Sequence, residues 1–165
     1  MLTTRYSKLL LLISIAIFCT LVSFGNITDY ATNFEFVKHV LMMDTIFPNS
    51  SITYRSINNM ALINAGYILI ISLETISAVL CWVGAYKMLR AIKSTAQIFN
   101  NSKQIAIAGL TSGFLTWQVG FMSVGGEWFG MWMSHSWNGI GSSFRIFITI
   151  IAVLIYISIK DDELA

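Results

Sequence analysis

Four long apolar runs constrain this chain more than any motif in it. "LLLLISIAIFCTLVSFG" begins at Leu9, "ALINAGYILIISLETISAVLCWVGAY" covers 61–86, "QIAIAGLTSGFLTWQVGFMSV" covers 104–124, and "FRIFITIIAVLIYISI" completes a run over 140–159. A helix needs about 20 residues to cross the hydrocarbon core of a bilayer, and each run is long enough. β-branched residues are frequent in them, but barrel strands would alternate apolar and polar positions, and these runs do not. In lipid the backbone must satisfy its own hydrogen bonds, which favours helices. The sequence therefore predicts an all-α fold. It is a single four-helix transmembrane bundle with spans of about 9–27, 61–86, 104–124 and 140–159.

Composition agrees with lipid as the solvent. The chain is 56% hydrophobic and only 11% charged, with a net charge of +2, whereas soluble domains carry roughly 25% charge. No basic face of the kind a nucleic-acid binder needs can be built from so few scattered charges. Cys19 and Cys81 both fall inside apolar runs with no CxxC spacing, so they read as small buried hydrophobes rather than a disulfide or zinc framework. No cofactor or metal is expected.

Lys and Arg set the expected orientation. Arg5, Lys8, Lys87, Arg90, Lys93, Lys103 and Lys160 lie on one side of a four-span arrangement, and only Lys38, Arg55 and Arg145 on the other. Basic residues accumulate on the cytoplasmic side, which places both termini there. "MLTTRYSK" before an apolar run also has the outline of a signal peptide. The run is longer than a usual h-region and Gly25 makes a weak cleavage site, so the first helix is expected to be retained.

The loop over 28–60 is far longer than a usual helix connection. Within it, apolar residues at helical spacing predict a short helix over about 34–44, N-capped by Asn33 and closed off before Pro48, the only proline. Such a helix suits a lid over the bundle. The second outer segment, "GGEWFGMWMSHSWNGIGSSFR", holds Trp128, Trp132 and Trp137 among five glycines at 125–145. Trp prefers the interface, where its ring meets apolar matter and its N–H meets water. Trp117 is expected near the same boundary. Glu127 and Arg145 bracket the segment and are expected to pair, with Gln118 and Asn138 completing a polar cluster. Arg145 is too shallow in its span to reach Glu74.

The order GGEWF, MW, WNG and FR resembles a bacterial family of predicted small integral membrane proteins whose function is unknown. The stretches "FVKHVLMMDTIFP" and "YILIISLETISAVLCWVGAY" carry the same resemblance over nearly the whole chain. It implies four spans, a long first outer loop and residence in the inner (plasma) membrane, and it implies no activity.

Glu74 sits near the middle of the second run. A carboxylate at that depth is costly unless paired, so it faces the bundle interior and is a functional candidate by default. His39, Asp44, Glu127 and His135 would form a metal site only if the two outer loops brought them together, and no spacing signature supports that. No catalytic residues stand out, which leans away from an enzyme. Two functions remain. One is an accessory, stabilising or assembly subunit of a larger inner-membrane complex, meeting a membrane-protein partner through its outer aromatics. The other is an ion- or proton-coupled small-molecule carrier that works as a homo-oligomer through Glu74.

Overall fold

The computed structural model describes residues 2–163. Its elements are α1 (Leu2–Thr28), α2 (Tyr30–Met42), α3 (Met60–Arg90), α4 (Ala96–Ser102), α5 (Gln104–Leu115), a π-helical segment π1 (Thr116–Trp128) and α6 (Ile140–Ser158). No strand occurs among the described residues. Four helical stretches are long and apolar enough to cross a membrane: α1, α3, α6, and the run Ala96–Trp128 that strings α4, α5 and π1 together.

α1 packs on α3, α3 on α5, and α5 and π1 on α6, while α6 returns to α1 to close the ring. Leu12, Ala16, Cys19, Cys81, Met88, Ala106, Leu110 and Ile157 are fully buried along its axis. Trp117 belongs to this core as well. It is 3% exposed, and its ring meets Phe18 of α1 at 5.7 Å between centroids. The expected boundary position for Trp117 is therefore corrected: filling the space between the first and third spans buries a large ring that a place at the rim would leave half wet.

Small residues decide how closely the second and third spans approach. A Cβ on Gly84 would lie 2.6 Å from the Ala106 Cα, and one on Gly109 would lie 2.8 Å from the Cys81 backbone nitrogen. The two backbones are thus in contact, the close packing that small residues permit in lipid. Toward the other end of α3 this contact is lost. Beyond Leu115 the helix switches to i→i+5 bonding, as in Phe129 N to Val124 O at 3.0 Å, which widens it.

That end of the bundle carries the cap. α1 runs almost directly into α2, with Asp29 between them. Asn33, the expected N-cap, lies inside α2 and donates its side-chain amide to Asp29 O at 3.0 Å. α2 stops at Met43, whose left-handed backbone (φ 55°) turns its N–H back to Val40 O. Asn59 starts α3 by accepting from the Ala61 and Leu62 amides, as a good N-cap does. Val40, Met43, Phe129 and Met131 form a second, smaller core with Ile46, Ile52 and Ile57 around it. Gly130 is required here, since its φ of 66° is left-handed and a Cβ would collide with Met133.

Gly84→Ala and Gly109→Ala each force backbone apart and are expected to lower stability by about 1–3 kcal/mol. Gly25→Ala, where a Cβ meets nothing within 4 Å, should leave it unchanged. Thermal unfolding of the three variants in one detergent checks this.

Candidate functional site

Three polar or aromatic centres stand out along the bundle. The outermost is the cap. Each of its tryptophans is held by a residue from the first loop. The Arg55 guanidinium lies 4.5 Å over the Trp128 ring and donates to Trp128 O at 3.2 Å. Phe47 meets Trp132 edge-on at 5.7 Å. His39 stacks on Trp137 at 4.6 Å and 14°, and Phe36 meets the same side chain edge-on at 6.1 Å. Thr45 Oγ1 and Ser134 Oγ share a 2.8 Å hydrogen bond between the two loops.

The pairing expected of Glu127 and Arg145 is not what closes this turn. Arg145 folds back along its own helix, Nε to Gly141 O at 3.2 Å and Nη2 to Ser142 Oγ at 3.3 Å. Glu127 is exposed and makes no ion pair among the described residues. A solvated carboxylate gains little from a pair that must order two long side chains. Asn138 does the fastening instead: its amide donates to Trp132 O at 3.3 Å, and its oxygen accepts from Ile140 N at 3.1 Å. Nor do the outer ionisable groups converge. His39 Nδ1 lies 2.7 Å from Asp44 Oδ2, whereas His135 neighbours Phe47. No group of three His, Cys, Asp or Glu at metal-holding distance occurs among the described residues.

The second centre surrounds Glu74, which is 1% exposed. Its Oε2 accepts from Asn26 Nδ2 of α1 at 2.7 Å. Tyr67, two turns along α3 toward the cap, donates to Asn26 O at 3.1 Å. Its ring lies 4.7 Å from Tyr30, and Tyr30 donates to Asn64 Oδ1 at 2.5 Å. The polar side chains thus climb from Glu74 to the cap end of α3 in steps of about one or two turns. Gln118 stands apart from this chain: it is half-buried, and its main-chain carbonyl accepts from Ser123 Oγ at 3.1 Å.

The third centre, at the end of the bundle where the termini meet, is one that sequence reading missed. Arg5, Lys8 and Lys103 are 0%, 1% and 2% exposed, although all three count among the charges expected to set the orientation from the cytoplasmic side. Asp161 Oδ2 accepts from Lys8 Nζ at 2.6 Å and Lys103 Nζ at 2.5 Å. Both ammonium groups also reach Ile159 O, at 2.6 and 2.9 Å. Arg5 donates to Ile92 O, Ser94 O and Asp162 O and lies 4.6 Å over the Phe99 ring. This knot straps the tail after α6 to α1 and to the connection between α3 and α5. Burial would raise the Asp161 carboxyl, but hydrogen bonds from Lys103 and Lys8 outweigh it and hold the group below its usual range. Nothing in the local sequence marks this arrangement, since most of its acceptors are backbone carbonyls distant along the chain.

Asp161→Asn leaves two buried ammonium groups without their shared carboxylate and should cost about 3–5 kcal/mol. The sign with pH follows from the lowered carboxyl. Its contribution is complete above the ordinary carboxylate pKa of about 4 and is lost as pH falls through the folded value. Wild type should therefore lose stability on acidification below about pH 4, and the Asn variant should lack that limb, read by detergent melting across pH.

No curated protein and no solved structure matches the chain. The four long apolar helices agree with one family comparison, in which residues 4–160 match. The chain belongs to the family described as predicted small integral membrane protein (DUF2165).

Proposed function

We propose that this integral membrane protein is an accessory or assembly subunit that meets a larger membrane complex through its cap. One observation carries the reading: the cap presents a preformed aromatic surface. Tyr54 is 76%, Trp128 52%, Trp132 50% and Phe47 46% exposed, yet Arg55 and the neighbouring loop fix their positions. Aromatic and Arg side chains dominate the energetically important parts of protein interfaces. Groups ordered before binding lose little entropy when a partner arrives. In this proposal the termini lie in the cytoplasm and the cap on the opposite face of a bacterial inner membrane, as the Lys and Arg distribution favours.

A second reading rests on Glu74. Its bond to Asn26 and the polar side chains climbing past Tyr67 to Asn64 favour a carrier that loads an ion or proton from the cap side, acting as a homo-oligomer. Glu74→Gln keeps an oxygen for Asn26 and should fold normally. Loss of ion or proton flux in vesicles containing that variant would support the carrier.

The subunit reading is tested by a photo-crosslinking amino acid placed at Tyr54 or Trp132 in native membranes, with Tyr86 at the far end of the bundle (59% exposed) as control. Cap positions should give a discrete protein adduct that the control lacks. Adducts to lipid alone, or the same adducts from all three positions, would sink it.

A further inference from the structure

A cavity of about 250 Å³ lies between α2, the cap half of α3 and π1. Leu69 and Leu73 of α3, Val40 of α2, and Gly120, Phe121 and Val124 of π1 are among its walls. Thr116 is the one polar side chain lining it, and its hydroxyl already donates to Ser112 O at 2.9 Å. Water entering would therefore find only that hydroxyl oxygen to donate to, fewer than the roughly two to four polar partners a buried water needs, and apolar cavities of about 150 Å³ stay dry and take up hydrocarbon such as benzene. Left empty, a void of this size forfeits the dispersion contacts that close packing supplies.

The cavity is not sealed. Leu69 and Val124, which line it, are 59% and 43% exposed on helices long and apolar enough to cross a membrane, so its open side faces the bilayer. Helical rise is 1.5 Å per residue, which sets Gly66 to Leu73 roughly 9 to 20 Å below the start of α3 at Met60. That is the depth of acyl chains in the leaflet on the cap side. The hollow also has a structural origin. π1 is wider than an α-helix, and a Cβ on Gly120 would meet nothing within 4 Å, so this wall is lowered where the chain would enter. π-helical turns recur at functional sites.

We propose that this cavity binds one acyl chain of a phospholipid from the leaflet on the cap side, seated under α2 and against Gly120. The lipid is then a structural ligand that joins α2 to the spans. This goes beyond a role for the cap surface and does not depend on it.

The test uses the full chain purified in mild detergent. Native mass spectrometry should find wild type retaining one phospholipid. Added dioleoyl phosphatidylglycerol should raise its melting temperature by several degrees, and dihexanoyl phosphatidylglycerol, with the same headgroup and short chains, should not. Gly120→Leu fills the hollow and should retain at least fivefold less lipid and lose the melting response. Leu69→Trp changes an exposed position at the opening and should weaken retention likewise, so it decides the matter if Gly120→Leu does not fold. Wild type without bound lipid, equal retention by folded variants and wild type, or an equal response to the short-chain lipid would each overturn the proposal.

Discussion

Backbone contact between the second and third long helices, at Gly84 with Ala106 and Gly109 with Cys81, is the constraint on which the rest of this molecule depends. Side chains normally hold helices 8–10 Å apart. Where glycine removes them, two axes can approach until main chains touch, and packing there becomes intolerant of any added atom. Held together at that level, α3 and the third span can only separate farther along, since π1 is wider and its neighbours on α3 are Leu69, Ile70 and Leu73. The opening between them is the lipid-facing cavity, and α2 and the cap are what cover its upper part. A loop of ordinary length would leave that wedge exposed, which gives a physical reason for the long first loop.

The two ends of the bundle are fastened by different chemistry. At the end bearing the termini, cations hold the chain: Arg5, Lys8 and Lys103 donate to carbonyls and one carboxylate. Charge-assisted bonds are strong when shielded from water, but each buried cation is tolerable only while its acceptors stay in place. The short tail after Ser158 is therefore an integral part of the fold, because it supplies Ile159 O, Asp161 and Asp162 O. At the cap end the fastening is aromatic and apolar, with single hydrogen bonds such as Thr45 to Ser134 between loops. Such contacts tolerate small adjustments that a buried ion cluster does not, and they leave aromatic faces available outside.

The apolar runs made the helical fold legible in the sequence, because length and hydropathy over some 20 residues are enough to identify a span. The glycine and tryptophan segment was legible as a structured cap for a similar reason, that such a composition has few other uses at a membrane boundary. The rest depended on geometry. Nothing in "TWQVGFMSVGGEW" separates i→i+5 from i→i+4 bonding, since the two periods drift little over so few turns. Trp117 could not be told from the boundary tryptophans without knowing that Phe18 faces it across the bundle. Glu127 and Arg145 looked complementary by charge and place, whereas Asn138, a residue able to donate and accept at once, is the one that bridges the turn. The partners of Glu74 were also out of reach, because Asn26 lies 48 residues away along the chain.

The buried knot bears on how orientation is read. Arg5, Lys8 and Lys103 belong to the set of cations that suggests cytoplasmic termini, yet in the folded bundle they do not face headgroups. The charge bias acts on the chain as it enters the membrane, before the spans have packed, so these residues can direct insertion first and be consumed by folding afterwards. Lys87, Arg90, Lys93 and Lys160 stay near the same end of the bundle and keep the bias in the folded protein. The terminal end is thereby both the more basic and the more tightly bonded, and the cap is left as the less charged, aromatic face. A bundle with this division holds its spans together by buried cations at the terminal end and leaves its exposed rings, already fixed by Arg55 and the first loop, at the other.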